Sequence, residues 1–195
     1  MFNDKSTPLA FLETRRSGRP RDMVAPGPDR EQLDRMLAIA TRVPDHGKLA
    51  PWRFVVIEDR AAFAALIAEA YQAERPDAGR LEIKANEDFA RQAPTLVVAI
   101  SAAHAGSRIP LWEQQLSAGA AVYNLELAAT ALGFVAGWVT GWASYSRLVL
   151  ERLGGRPDDR IAGFVFIGTP SRDLEERPRP DLADVVTHWP ADRAT

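Results

Sequence analysis

Apolar positions along this chain recur with two periods, and the switches between them mark its elements. Leu33, Met36, Leu37 and Ala40 are spaced by three and four residues. That spacing is one buried helix face, and it predicts a helix over residues 30–41 with Asp29 as its N-cap. A shorter helix is predicted over residues 8–14, around Leu9, Phe11 and Leu12. Arg53-Phe54-Val55-Val56-Ile57 reads as a strand, and Asp59 then opens a helix carrying Phe63, Leu66 and Ile67. Residues 74–80 are polar and contain Pro76 and Gly79, which makes them the expected flexible segment. A polar helix over residues 81–92 ends at Pro94. Thr95-Leu96-Val97-Val98-Ala99-Ile100 is apolar throughout, the pattern of a central strand.

The longest predicted helix spans residues 111–132. Its apolar positions run nearly all the way round, so burial on most sides is expected. Ser117, Ala118, Gly119, Ala120 and Ala121 would let another helix approach closely, whether from this chain or from a second subunit. Gly133 stands where a C-terminal glycine stop belongs. Residues 134–142 read as a third strand broken by glycines, residues 146–153 as a short helix, and residues 161–168 as a fourth strand. The tail from Ser171 is charged and proline-rich, and Glu175-Glu176 within it read as a solvated pair. Helices and strands do not alternate strictly, which favours an α+β fold of helices around one central sheet over a doubly wound one.

Length and charge narrow the function classes. At 195 residues and 46% apolar content, residues 1–195 are expected to form one domain with a sizeable core. A net charge of −2 lacks the basic footprint of a nucleic-acid binder. With no cysteine there are no disulfides, thiolate metal sites or cysteine nucleophiles. His46, His104 and His188 are far apart and show no metal-ligand spacing. Neither a signal peptide nor an apolar run long enough for a membrane span is visible, so a soluble cytoplasmic protein is expected.

Three stretches are candidates for chemistry. Arg15-Arg16-Ser17-Gly18-Arg19 follows the first helix. Arginine grips phosphate in a planar, bidentate way, so the cluster suits an anion cradle, and a solvated basic turn is the competing reading. The stretch from Arg42 to Phe54 joins a helix to a strand through two prolines and a glycine, with His46, Lys48 and Trp52 between them. Asp45 stands beside His46 as a possible orienter of its ring, whereas Trp52 opens the strand and suits the core. Trp138-Val139-Thr140-Gly141 ends a glycine-rich strand, which marks either close approach by a ligand or a bulge. There is no GxGxxG fingerprint, P-loop or G-x-S-x-G elbow.

Taken in order, these pieces resemble the FMN-dependent nitroreductase family, and its small, compact members most of all. The residues that carry the resemblance are Arg15-Arg16-Ser17, Arg42-Val43-Pro44-Asp45-His46 with Pro51-Trp52, and Trp112-Glu113-Gln114 before Ser117-Ala118-Gly119. Gly133-Phe134, Trp138, Gly163-Phe164 and Gly168-Thr169-Pro170 complete the set, which spans nearly the whole chain. The resemblance implies a nitroreductase-like α+β fold with a central mixed sheet, and a homodimer with FMN at the subunit interface. It implies that Arg15, Arg16 and Ser17 hold the flavin phosphate and ribityl chain, and that Arg42 and His46 contribute from the other subunit. Trp138, Val139 and Thr140 would back the flavin ring, Arg172 would reach the phosphate, and Arg19 would lie near the pyrimidine end. The chain departs from the pattern at Ala50, where many members carry glutamine, and at Val139, where close relatives carry a polar or basic residue.

The activity implied is a ping-pong one. NAD(P)H would reduce the flavin, and a nitroaromatic, quinone or similar small molecule would then take the electrons. Since the cofactor supplies the hard chemistry, no side-chain nucleophile is required. Two alternatives remain: a flavoenzyme of the same fold with other redox chemistry, and an FMN-binding or storage module without turnover.

Overall fold

The computed structural model describes residues 2–189. The helices are α1 (Pro8–Thr14), α2 (Arg30–Ala40), α3 (Arg60–Glu74), α4 (Arg80–Arg91), α5 (Leu111–Ala131), α6 (Arg147–Arg152) and α7 (Leu182–Val185). The strands are β1 (Met23–Val24), β2 (Trp52–Val56), β3 (Thr95–Ser101), β4 (Val135–Val139) and β5 (Arg160–Pro170). Helix starts follow local chemistry. Asp29 accepts from the Gln32 amide at 2.8 Å while the Gln32 side chain accepts from the Asp29 amide at 3.0 Å, a reciprocal cap on α2. Asp59 caps α3 and Ser146 caps α6 one way, each side chain accepting from the amide three residues on, Ala62 and Val149.

β5 is the centre of the sheet. β3 and then β2 lie on one side of it. Its other edge is shared end to end by β4, from Val139↔Phe164 to Val135↔Gly168, and β1, from Val24↔Thr169 to Met23↔Pro170. The mixed sheet expected from the resemblance is not what the described residues form, because every adjacent pair is antiparallel. The connections explain this. Two successive helices, α3 and α4, return the chain to the end where β2 finished, so β3 runs back along it. The single crossover helix α5 leaves β3 and β4 pointing the same way, but β5 runs between them, antiparallel to both.

β3 sorts the core. Its interior residues are buried on both faces, as its unbroken apolar run requires. Leu96, Val98 and Ile100 join Phe63, Ile67, Phe164 and Phe166 under α3 and α4. Val97 and Ala99 join Leu33, Met36, Val122, Leu125, Val165 and Ile167 under α2 and α5. The period of two along the strand thus fills two layers, one on each face.

α5 is buried less completely than its composition implies. Gln114, Ser117, Ala118, Ala121, Val122, Leu125, Glu126 and its last turns are buried. Leu111, Trp112, Leu116 and Tyr123, however, are exposed on its other side. Among the described residues no helix is long and apolar enough to cross a membrane.

Candidate functional site

Two glycines bring the arginine stretch against the sheet. The Gly18 amide donates to Ala136 O at 2.9 Å. Opposite it, a Cβ on Gly137 would fall 2.5 Å from Gly18 O, so only glycine permits this approach of loop to β4. The result is a cleft of about 270 Å³ lined by Arg16, Ser17, Arg19 and Arg172, with residues 173–178 along its rim.

Arginines and carboxylates meet in this cleft, whose lining also includes Asp22, Asp173 and Arg177. Arg16 donates to Glu175 O through Nε at 2.8 Å and again through Nη2, and its Nε is 3.4 Å from Glu176 Oε1. Arg19 Nη2 meets Glu175 Oε2 at 2.5 Å, and Arg172 approaches Glu175 Oε1 at 3.7 Å and Asp22 Oδ2 at 2.9 Å. Glu175 and Glu176 are therefore paired with the arginines, where the sequence suggests only a solvated pair. Both carboxylates remain more than half exposed.

Arg15 points elsewhere. Its guanidinium lies 5.2 Å from the centre of the Tyr123 ring, and its Nη1 donates to Ser17 Oγ at 3.1 Å. Ser17 Oγ in turn lies 3.2 Å from Glu126 Oε1, which also accepts from the Trp138 amide at 3.0 Å. Glu126 is 4% exposed on α5. Burial pushes its carboxyl above the ordinary glutamate range, against the opposing pull of Arg15, the Trp138 amide and Ser17. The sequence reading missed this residue. Its signal was a single charge in the otherwise uncharged run 114–132 of α5 and the turn after it.

At the end of β4, the Trp138 indole Nε1 donates to Ala162 O at 3.0 Å. The ring lies over Gly163, where a Cβ would fall 2.2 Å from Nε1. Trp138 keeps 37% of its surface exposed, Val139 is half-buried, and Thr140 is exposed just past the strand.

Arg42 and His46 do not line this cleft. Their loop is fixed to α5 instead. Asn124 Nδ2 donates to Ile39 O at 2.6 Å and Ser117 Oγ donates to Pro44 O at 2.5 Å. His46 Nδ1 lies 2.7 Å from Glu113 Oε2. The carboxylate that meets the His46 ring is thus Glu113, not Asp45, which accepts from the Leu49 and Ala50 amides of its own loop at 3.1 and 2.8 Å. Both Arg42 and His46 are exposed.

The nitroreductase family matches over residues 12–169. This chain belongs to the nitroreductase family. It is 36% identical over 183 residues to a Haemophilus influenzae protein named "Putative NAD(P)H nitroreductase", covering 92% of this chain and 98% of that one. It is 35% identical over 184 residues to the Escherichia coli protein YdjA, which carries the same description, covering 93% and 98%. Among solved structures, the nitroreductase-like family protein from Bacillus cereus superposes with a TM-score of 0.76 at 22% identity, over 92% of this chain and 94% of that one. A structure of the FMN and NADPH-dependent nitroreductase NfnB superposes with a TM-score of 0.69 at 22% identity, over 92% and 97%. Those two likenesses establish a nitroreductase-like fold, and family membership points to oxidoreductase chemistry.

Proposed function

We propose that this nitroreductase-family chain, residues 1–195 as one domain, is an FMN-dependent oxidoreductase that works as a homodimer. It would pass reducing equivalents from NAD(P)H to a nitroaromatic, quinone or similar small acceptor. The observation that carries the reading is the convergence of Arg16, Arg19 and Arg172 on one carboxylate-bearing residue, Glu175. At that residue Arg19 and Arg172 meet the carboxylate while Arg16 donates to the main-chain carbonyl, and forked guanidinium donors of this kind suit a phosphate at the same position. The donor set therefore fits FMN.

When bound, the flavin would supply hydride and electron transfer; the protein supplies binding, orientation and electrostatics. Arg16 and Arg172 would hold the phosphate, with Arg19 adding positive charge at the cleft. Ser17 would line the path from phosphate to ring, with Arg15 supporting it by donating to its hydroxyl. Trp138, Val139 and Thr140 would form the surface behind the ring, with the Trp138 indole fixed by its bond to Ala162 O. Val139 adds no polar group to that surface.

The exposed face of α5 supports the dimer. Leu111, Trp112, Leu116 and Tyr123 leave apolar area open to water on the helix that also anchors the His46 loop. A second copy covering that face would carry Arg42 and His46 toward the partner's flavin, which accounts for their lying outside their own chain's cleft.

The test is an absorption spectrum of the purified protein before and after anaerobic addition of NADPH, then NADH. Flavin bands that bleach support the reading. A protein that binds FMN but is reduced by neither nucleotide loses the NAD(P)H step, and one that takes up no FMN loses the whole assignment.

A further inference from the structure

The hydroxyl of Ser17 is almost fully used within the protein. A serine hydroxyl has one proton and two lone pairs. Arg15 Nη1 can only donate, so it occupies one lone pair of Ser17 Oγ at 3.1 Å. Glu126 Oε1 lies 3.2 Å from Ser17 Oγ and also accepts the Trp138 amide at 3.0 Å. An oxygen already receiving an N–H acts as an acceptor whether the carboxyl is ionised or carries its proton on Oε2. Ser17 must then donate its proton to Glu126, and one lone pair is left.

We infer that Glu126 is a positioning residue of the flavin site: by taking up the Ser17 proton it leaves that hydroxyl as an acceptor toward the cleft, suited to a ligand hydroxyl and not to a phosphate oxygen. This rests on the flavin reading above and refines it. A phosphate monoester is mostly dianionic at neutral pH and presents acceptor oxygens, whereas the hydroxyls of a ribityl chain can donate. Ser17 is thereby assigned to the polyol and the arginines alone to the phosphate. The same carboxyl joins the two walls, because one oxygen holds both the loop through Ser17 and β4 through the Trp138 amide.

The experiment compares binding of FMN and riboflavin, which lacks the phosphate, to wild type, S17A, E126Q, E126A and S17A/E126A by flavin fluorescence. One neutral hydrogen bond corresponds to about three- to tenfold in affinity. S17A is expected to weaken both ligands by that same factor. E126Q retains an acceptor oxygen at the same place and should bind both nearly as wild type does. E126A should weaken both, and adding S17A to it should cost no more. Loss of FMN affinity alone in S17A would mean that Ser17 donates to the phosphate, and would overturn the assignment. Additive losses in the double variant would show that Glu126 does not act through Ser17. Should E126A fail to fold, the FMN-to-riboflavin ratio in S17A and the recovery in E126Q still decide. Wild-type protein that binds neither flavin would remove the flavin reading itself, an outcome distinct from the others.

Discussion

Glu175 lies on Arg19, with Oε2 2.5 Å from Nη2, and so closes the arginine-lined cleft of its own chain. Both side chains are more than half exposed, 51% for Arg19 and 60% for Glu175. Exposed pairs of this kind contribute about 0–1 kcal/mol, so a phosphate bearing nearly two charges can displace the carboxylate. Removing the competitor makes binding easier. Glu175→Gln is expected to tighten FMN about two- to fivefold at low salt, as loss of a weak competing ion pair should, and to leave riboflavin unchanged. Fluorescence titrations at two salt concentrations check this, since the gain shrinks as salt screens the cleft. An FMN affinity unmoved by Glu175→Gln at low salt would place the phosphate elsewhere.

Arg16 is the least exposed of the cleft arginines that the ion pairs describe, at 13% of its side chain. A charge-assisted hydrogen bond contributes about 1.5–3 kcal/mol. Arg16→Ala is therefore expected to weaken FMN about tenfold to a hundredfold while sparing riboflavin. Arg16→Lys should recover only part of the loss, because a lysine brings one point charge where the guanidinium brings a planar fork. Equal loss of both flavins in Arg16→Ala would point to a disturbed loop rather than a lost phosphate contact.

Much of this arrangement was legible in the sequence because its signals were periodic or local. The apolar run of β3 and the Leu33–Met36–Ala40 stripe of α2 gave their elements to within a residue or two. β1 went unread because two residues, Met23 and Val24, cannot display an alternation. Sheet direction was misjudged because it depends on how many helices intervene between neighbouring strands, which no single stretch records. The arginine stretch was visible as a cluster. Its carboxylate partners were not, since Arg19 and Glu175 are 156 residues apart and meet only once the tail crosses the end of β5. Glu113 was preferred to Asp45 by the fold for a similar reason: Asp45 is spent on the amides of its own turn, and α5 brings Glu113 to His46.

Glu126 links stability to pH. Burial raises its carboxyl above a free glutamate's value of about 4.5, so the folded state holds the proton more tightly than the unfolded chain. That contribution is complete below the unfolded value and is lost as pH rises through the raised folded one. Glu126→Gln has no charge to bury and keeps the acceptor for the Trp138 amide. Its melting temperature is expected to exceed that of wild type at pH 8, with the difference fading as pH falls below the ordinary glutamate range. Melts across pH 4–8 measure it. A constant difference across that range would mean that Glu126 titrates as it does in the unfolded chain.

The proposed two-subunit site makes a prediction that separates assembly from ligand contact. Leu116 is 54% exposed on α5, so a charge there costs the isolated chain little. If α5 forms the subunit contact, Leu116→Glu buries an unpaired carboxylate in it, a change that costs several kcal/mol. Sedimentation should then report monomers at concentrations where wild type is dimeric. FMN affinity should fall with it, because each flavin would lose the partner subunit's loop around Arg42 and His46. His46→Ala should leave the dimer intact and weaken FMN about three- to tenfold, the loss of one hydrogen-bonding contact. A monomeric Leu116→Glu variant with wild-type FMN affinity would confine the site to one chain and return Arg42 and His46 to the role of surface residues. Wild-type protein that sediments as a monomer would remove the dimer, and the exposed face of α5 would then need another cover.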